Sequence, residues 1–292
     1  MRSGRRALTI GDVLPEILRR AAAGVECTTT AALADEPDGV HQHRVQVRRL
    51  RSVLAGFQDD LDSRAARRLR VAYAEWGREL GVVRDIEVRA DVADELLARA
   101  GIDDPAVVRR LVGSERDAYP GAHARLVELA RSPRSRERER MLRALVDAAF
   151  VVDPGRPAAG VLAAALSRQA HRVRKAEGRL DGSDEAYHDL RKAARRTRYV
   201  AEAVADAVPD LYPKKVGGIA SAGDDLHDAL GGHRDAMLLA YRLRREEALA
   251  GRAGEPSAVY ARVADIARDD AAARLEAVPS AMRRLTAAFR LP

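Results

Sequence analysis

The stretch VHQHRVQVRRLR at residues 40–51 returns as YHDLRKAARRTR at residues 187–198. His41, Arg44, Arg48, Arg49 and Arg51 recur as His188, Arg191, Arg195, Arg196 and Arg198 with the same spacing. At about 100° per residue of α-helix, His41, Arg44, Arg48 and Arg51 share an arc of roughly 80°. Arg49 falls outside that arc, and Val47, Leu50, Leu54 and Phe57 supply an apolar stripe for the core. Each copy therefore reads as a helix with one cationic face and a histidine near its N-terminal end. Solvated faces ordinarily mix charge signs to limit self-repulsion. These faces do not, which predicts an anionic partner.

Working outward, the chain has 292 residues, 47% of them hydrophobic but only 4% aromatic. The core must then be built from Ala, Leu and Val, and abundant Ala and Arg favour helix. No run of alternating β-branched residues signals a strand. The expected fold is all-α. The net charge is +7, of which the first 150 residues carry +3 and the remaining 142 carry +4, so the basicity is no detachable tail. Of 51 basic residues only Lys175, Lys192, Lys214 and Lys215 are lysine. Arginine keeps its charge at any working pH and grips phosphate through two donors. A codon bias towards Arg and Ala would explain the amount of arginine, but not its register. A single cysteine, Cys27, excludes an internal disulfide and a thiolate metal cage within one chain. The N-terminus lacks a leader pattern and no apolar run is long enough to span a bilayer, so a cytoplasmic protein with no membrane partner is expected.

The repetition extends beyond the arginine helix. Leu80-Gly81 and Arg84-Asp85 return as Leu230-Gly231 and Arg234-Asp235, an offset of 150. Val13-Leu14 returns as Val161-Leu162, and Ala124-Arg125-Leu126 as Ala273-Arg274-Leu275. Four landmarks in one order predict an internal duplication. Asp153-Pro154-Gly155-Arg156-Pro157 is the strongest breaker and the natural boundary, giving halves at 1–152 and 156–292. Helices are expected near 10–33, 40–59, 63–98 (with a break at Gly81), 104–131 and 135–150. In the second half they are expected near 158–179, 185–207, 212–249 and 255–289. His41 and His188 should then sit in first turns, beside open backbone N–H groups at the positive end of a helix dipole.

This combination resembles the CHAD family (conserved histidine α-helical domain): the H-x-x-R-x-x-x-R-R-x-R helix twice, with L-G-x-x-R-D downstream in each half. His171-Arg172-Val173-Arg174-Lys175, Tyr199 and His123-Ala124-Arg125-Leu126 fit the same pattern. The resemblance implies two pseudo-symmetric four-helix bundles with a basic groove or pore between them. It also implies binding of inorganic polyphosphate and association with polyphosphate granules. The ligand-facing set it implies is His41, Arg44, Arg48, Arg51, His188, Arg191, Arg195 and Arg198, flanked by Arg49 and Arg196. Arg172, Lys175, Lys214 and Arg67 would extend that surface. Departures from the pattern are Thr197, Ala194 and Ala201 where the first copy has bulkier residues, which predicts that the second motif helix packs either closer to its neighbours or less firmly. His227 stands where glutamine is common, and Gly217-Gly218 interrupts an expected helix.

Other chemistries are less well served. Single-strand nucleic-acid binders offer aromatic platforms beside the basic groove, and no aromatic residue falls on these faces. Duplex nucleic acid or a general polyanion remains the alternative ligand, since phosphates alone can carry binding. A polyphosphate-processing enzyme would need carboxylates to hold Mg²⁺, and neither repeated acidic pairs nor a P-loop or nucleophile arrangement is present. A scaffold for acidic partners is a third class. Asp85 and Asp235 read as anchors for arginine, and Asp59-Asp60-Leu61-Asp62 as a helix end and turn. With no H-E-x-x-H motif, neither a metal site nor a cofactor is expected.

Overall fold

Helix-forming segments bounded by Gly, Pro and Asp turns build the fold. The computed structural model describes residues 8–147, 151–209 and 213–290. The helices are α1 (Ile10–Leu33), α2 (Gly39–Gly56), α3 (Ser63–Arg99), α4 (Pro105–Val108), α5 (Ser114–Ala130), α6 (Pro133–Asp147), α7 (Ala158–Glu177), α8 (Asp184–Ala207), α9 (Pro213–Arg252), α10 (Ala258–Leu275) and α11 (Val278–Phe289). No strand occurs among the described residues, which form only two isolated bridges. The fold is all-α, as expected.

The turns are built locally. Asp35 and Asp38 take left-handed conformations between α1 and α2, with the Gly39 N–H bonded to Glu36 O at 2.8 Å. Asp62 caps α3 by accepting from the Arg64 N–H at 2.9 Å, and Ser183 caps α8 by accepting from the Ala186 N–H at 3.2 Å.

Several boundaries differ from expectation. α3 runs through Gly81 without a break, and α9 runs through Gly217-Gly218. Tertiary packing on both sides outweighs the roughly 1 kcal/mol that a helical glycine costs. The expected helix 104–131 carries a π-helical turn at Arg109–Gly113 between α4 and α5, and 255–289 divides into α10 and α11 before Pro279. The helix expected near 135–150 begins at Pro133, and 148–150 lie outside the described residues.

Two buried clusters make up the core. The larger joins α1, α2, the first part of α3, α7, α8, the first part of α9, and α11. The smaller joins the end of α3 and the α4 region to the later part of α9 and α10. Both draw on helices before and after Asp153–Pro157. That breaker is a docked joint: Ile10 N–H bonds Arg156 O and Ala158 N–H bonds Leu8 O, each at 2.9 Å.

The two motif helices, α2 and α8, touch directly. A Cβ added at Gly56 would lie 2.5 Å from Val200 Cγ2, and Arg49 of α2 pairs with Asp206 of α8. Ala194, Thr197 and Ala201 are fully buried, and Gly223 brings α9 against the α8 backbone. A Cβ there would lie 3.2 Å from Arg198 N and 3.4 Å from Ala194 O. Of closer or less firm packing, the small residues of α8 give the closer.

Candidate anion-binding site

Because α2 and α8 pack side by side, their arginines converge. The field of Arg48 reaches Arg44, Arg191 and Arg195, and that of Arg51 reaches Arg195 and Arg196. All six are half-buried. Burial, then the neighbouring arginines, lowers the pKa of Arg44, Arg51, Arg191, Arg195 and Arg196, the last two to about 10. Like charges are thus held together at reduced hydration, an arrangement that disfavours the charged forms unless an anion enters.

The glycines of the L-G-x-x-R-D motifs explain how these side chains lie. Arg44 crosses α3 at Gly81, its Nη2 standing 3.5 Å from where a Cβ would be. Arg191 crosses α9 at Gly231, with Nε and Nη2 both 3.4 Å from the equivalent point. The last two residues of each motif serve the same rims. Asp85 pairs with Arg44 Nη2 at 3.5 Å. Asp235 faces Arg191, Arg234 and Arg44, which offset the rise that burial gives its carboxyl. Arg84 is the strongest charge opposing protonation of His41, and Arg234 plays that part for His188.

Four buried polar atoms in this region lack a hydrogen-bond partner: Arg48 Nε, Arg191 Nε, His188 Nδ1 and His227 Nε2. A native fold seldom leaves buried polar groups unpaired, because each costs about 1–3 kcal/mol. Gathered in one like-charged cluster, the two guanidinium Nε–H groups are donors without acceptors; His227 Nδ1 faces Asp228 Oδ1 at 3.2 Å and so carries the ring proton, which leaves Nε2 to donate only once the ring is protonated. His227 is buried on α9, and the charges opposing its protonation are Arg191, Arg195, Arg48 and Arg198. Burial first, then those arginines, pushes its imidazole far below the usual range. His41 and His188 are lowered for the same two reasons.

Not every expected ligand residue opens onto this cluster. Arg49 is paired with Asp206, and Arg198 with Glu202 and Asp224. Arg172 and Lys175 are exposed on α7, and Arg67 is exposed on α3 beside Arg70. Arg172 is the strongest like charge near Arg196. The side chain of Lys214 lies outside the described residues. His41 is the third residue of α2, before the first helical bond from Gln42 N–H to Asp38 O, so the first-turn expectation holds there. It fails for His188, which lies in the second turn because α8 starts at Asp184 behind the Ser183 cap.

The sequence pattern missed His227, Arg84 and Arg234 as members of the cluster. The signal was present for the two arginines, which repeat in register, but not for His227, which has no histidine counterpart. The remaining histidines are structural where buried in the first half: His123 bonds Ala32 O at 2.8 Å, and His43 bonds Thr28 and Trp76. Asp224, His227 and Asp228 approach one another closely enough to suggest a metal, but Asp224 already pairs with Arg198 and arginines surround the ring. Among the described residues no helix is long and apolar enough to cross a membrane.

Comparison with known proteins agrees with this fold. The solved CHAD domain from the plant Ricinus communis superposes with a TM-score of 0.69 at 22% identity, covering 98% of this chain and 93% of that one. PptA from Streptomyces chartreusis gives 0.69 at 20% identity, over 97% and 100% of the two chains. Two curated relatives from Mycobacterium tuberculosis, the uncharacterized proteins MT2285 (strain CDC 1551) and Rv2226 (strain H37Rv), are 30% identical over 272 residues. The match covers 89% of this chain but only half the length of those relatives. The CHAD domain profile matches residues 16–244, which hold both arginine helices and both L-G-x-x-R-D motifs, and the chain belongs to the CHAD domain family.

Proposed function

We propose that this chain binds inorganic polyphosphate non-covalently along the arginine cluster between α2 and α8. The observation that carries the reading is the pair of unpartnered buried donors on Arg48 and Arg191, beside the unpartnered ring nitrogens of His188 and His227, within a group of arginines that repel one another. A chain of phosphates supplies acceptors at short, regular intervals. Arginine neutralises them while displaced counterions contribute entropy. Arg44, Arg48, Arg51, Arg191 and Arg195 form the centre of the site, with Arg196, Arg172 and Lys175 continuing it along α8 and α7. Arg49 and Arg198, held by carboxylates, shape the rim. Association with polyphosphate granules would follow from this binding, and a fluorescent fusion of the chain should concentrate on them.

The protein acts by binding, without catalysis. The cluster presents guanidinium and imidazole donors, and its nearest carboxylates, Asp85 and Asp235, face arginines. Incubation with polyphosphate and Mg²⁺ should leave chain length unchanged; shortening would overturn this part of the reading. Nucleic acid is the competing ligand. Tyr199, the aromatic residue nearest Arg195 and Arg198, is buried and offers no stacking face. The test is a titration against long-chain polyphosphate with duplex and single-stranded DNA of equal charge as competitors, at two salt concentrations. Persistent preference for polyphosphate at the higher salt supports the reading. Equal competition by DNA would replace it with general polyanion binding.

A further inference from the structure

On the far side of α2 from the arginine cluster, α6 lies over α1 and α3 and leaves a cavity of about 290 Å³. Val25, Leu33 and Leu142 give it apolar walls, and Tyr73, Trp76 and Arg138 supply the rest of the lining that matters. Arg138 is only 9% exposed. Its guanidinium carbon lies 4.4 Å from the centre of the Trp76 ring and 5.5 Å from that of Tyr73. One terminal nitrogen donates to Ser135 Oγ at 2.7 Å, and the Tyr73 hydroxyl is its other partner.

No carboxylate among the described residues lies within 4 Å of Arg138. Glu137 and Glu139 flank it in sequence: Glu137 pairs with Arg140 at 2.7 Å, while Glu139 pairs with Arg143 at 3.7 Å, accepts from Ser135 Oγ at 3.5 Å and reaches Arg138 by its field alone. Elsewhere in the bundle a half-buried arginine commonly carries such a partner, as Arg242 does Glu115 at 3.0 Å and Arg168 does Asp60 at 3.0 Å. Burial makes the charged form of Arg138 costly, and two π faces return only part of that cost.

The Trp76 indole is held from behind. Its N–H donates to His43 Nε2 at 2.9 Å, which leaves the His43 proton on Nδ1, facing Thr28 Oγ1 at 2.9 Å. Burial lowers His43 to about 4, so this ring is a neutral fixture. The polar edge of Trp76 is thereby satisfied within the wall, which His43 also lines, and its face is left to the guanidinium.

We propose that this cavity is a second ligand site, for an organic monocarboxylate with a small apolar body. A guanidinium stacked on an aromatic face still offers N–H groups along its edge, and a planar carboxylate matches two of them at once. The apolar walls accept the body of the ligand. At about 30 Å³ per water, the cavity holds roughly ten waters' worth of matter, which suits an acid with a single ring. Glu26 and Glu139 at its margin oppose a polyanion. The cavity is also no by-product of the sequence repetition. Positions 150 residues beyond Tyr73 and Trp76 are Gly223 and Leu226, and Gly223 closes against the α8 backbone.

Trp76 is the only tryptophan in the chain, so its fluorescence reports on this cavity alone. The experiment titrates the full chain with cyclohexanecarboxylate and with its neutral isostere, cyclohexanecarboxamide. A saturable change with the acid, weaker by about tenfold or more with the amide, is the result expected for one lost charge-assisted contact. Arg138→Met should abolish it. Arg138→Lys, which keeps the charge and the fold but loses the fork, should weaken it by several-fold. The response should survive saturating polyphosphate and the quadruple change of Arg44, Arg48, Arg191 and Arg195 to Glu. No response in the native chain, equal responses to acid and amide, or displacement by polyphosphate would each overturn the proposal.

Discussion

Gly231 and Gly223 stand eight residues apart on α9, yet their replacement by alanine should act in opposite directions. At Gly231 the added Cβ meets the movable guanidinium of Arg191, whereas at Gly223 it meets the α8 backbone at 3.2 Å. Gly231→Ala should therefore gain up to about 1 kcal/mol of helix propensity with the Arg191 guanidinium left in ordinary contact at 3.4 Å, so that polyphosphate binding stays nearly unchanged. Gly223→Ala cannot be absorbed so easily and should destabilise the fold by about 1–3 kcal/mol. Denaturant unfolding together with a polyphosphate titration separates the two. The sequence marks both glycines but not this difference, because a helical glycine reads the same whether it faces a side chain or another backbone. His227 is hidden for a related reason: its place in the cluster depends on how α9 rotates against α8, which only packing decides.

The same residue scale sets the pH response. His41, His188 and His227 are all depressed by burial and by the arginines around them. Polyphosphate would favour their protonated forms, so binding should take up protons and strengthen as pH falls from 8 towards 5. Calorimetry in two buffers of different ionisation enthalpy measures that uptake directly; identical heats in both would remove the histidines from the site. The ligand-free fold behaves in the opposite sense. A histidine depressed in the folded state binds its proton first in the unfolded chain, so stability falls as pH drops below about 6.5. His43, lowered to about 4, should alone account for roughly 3 kcal/mol of that loss between pH 6.5 and 4.

At the scale of elements, the contact between α2 and α8 positions the site, and a short acidic turn helps to set it. Asp60, 3% exposed, takes Arg156 on one oxygen and Arg168 on the other, each at 3.0 Å. It thereby ties the end of α2 to the joint at Asp153–Pro157 and to α7. Removing it as Asp60→Ala leaves two arginines unpaired. Both are partly exposed and regain some hydration, so a loss of about 2 kcal/mol is expected, below the 3–5 kcal/mol typical of a fully buried pair. Thermal unfolding would register it, and polyphosphate binding should weaken in parallel if α2 and α8 then separate. The turn itself was legible in sequence, as were the N-terminal boundary of α1 and the faces of α2 and α8, since each follows from local propensity and helical period. The extents of α3 and α9 were legible as 63–98 and 212–249; whether Gly81 or Gly217-Gly218 interrupts them was not, because neighbouring helices decide that. The ion pairs that occupy Arg49 and Arg198 were likewise invisible, their partners Asp206 and Asp224 coming from other segments or turns of the fold.

Across the whole molecule the charge of +7 is less informative than its distribution. Some surface arginines, Arg134 and Arg284 among them, are paired with carboxylates and contribute little to a distant field. Arg44, Arg48, Arg51, Arg191 and Arg195 instead act on one another across the α2–α8 contact. If those five each neutralise one phosphate, the logarithm of the polyphosphate binding constant should fall with the logarithm of salt concentration with a slope of about −3.5 to −4.5. Arg191→Gln should reduce that slope by about 0.7–0.9, the contribution of one phosphate contact. Lys192→Gln is the control: Lys192 is next in sequence but exposed, and pairs with Asp189 at 2.6 Å, so it should leave the slope nearly unchanged. A slope altered equally by both changes would mean that overall charge draws the ligand, and the buried cluster would lose its special role. A change confined to Arg191 would locate the phosphates between the two helices, where the unpartnered donors already lie.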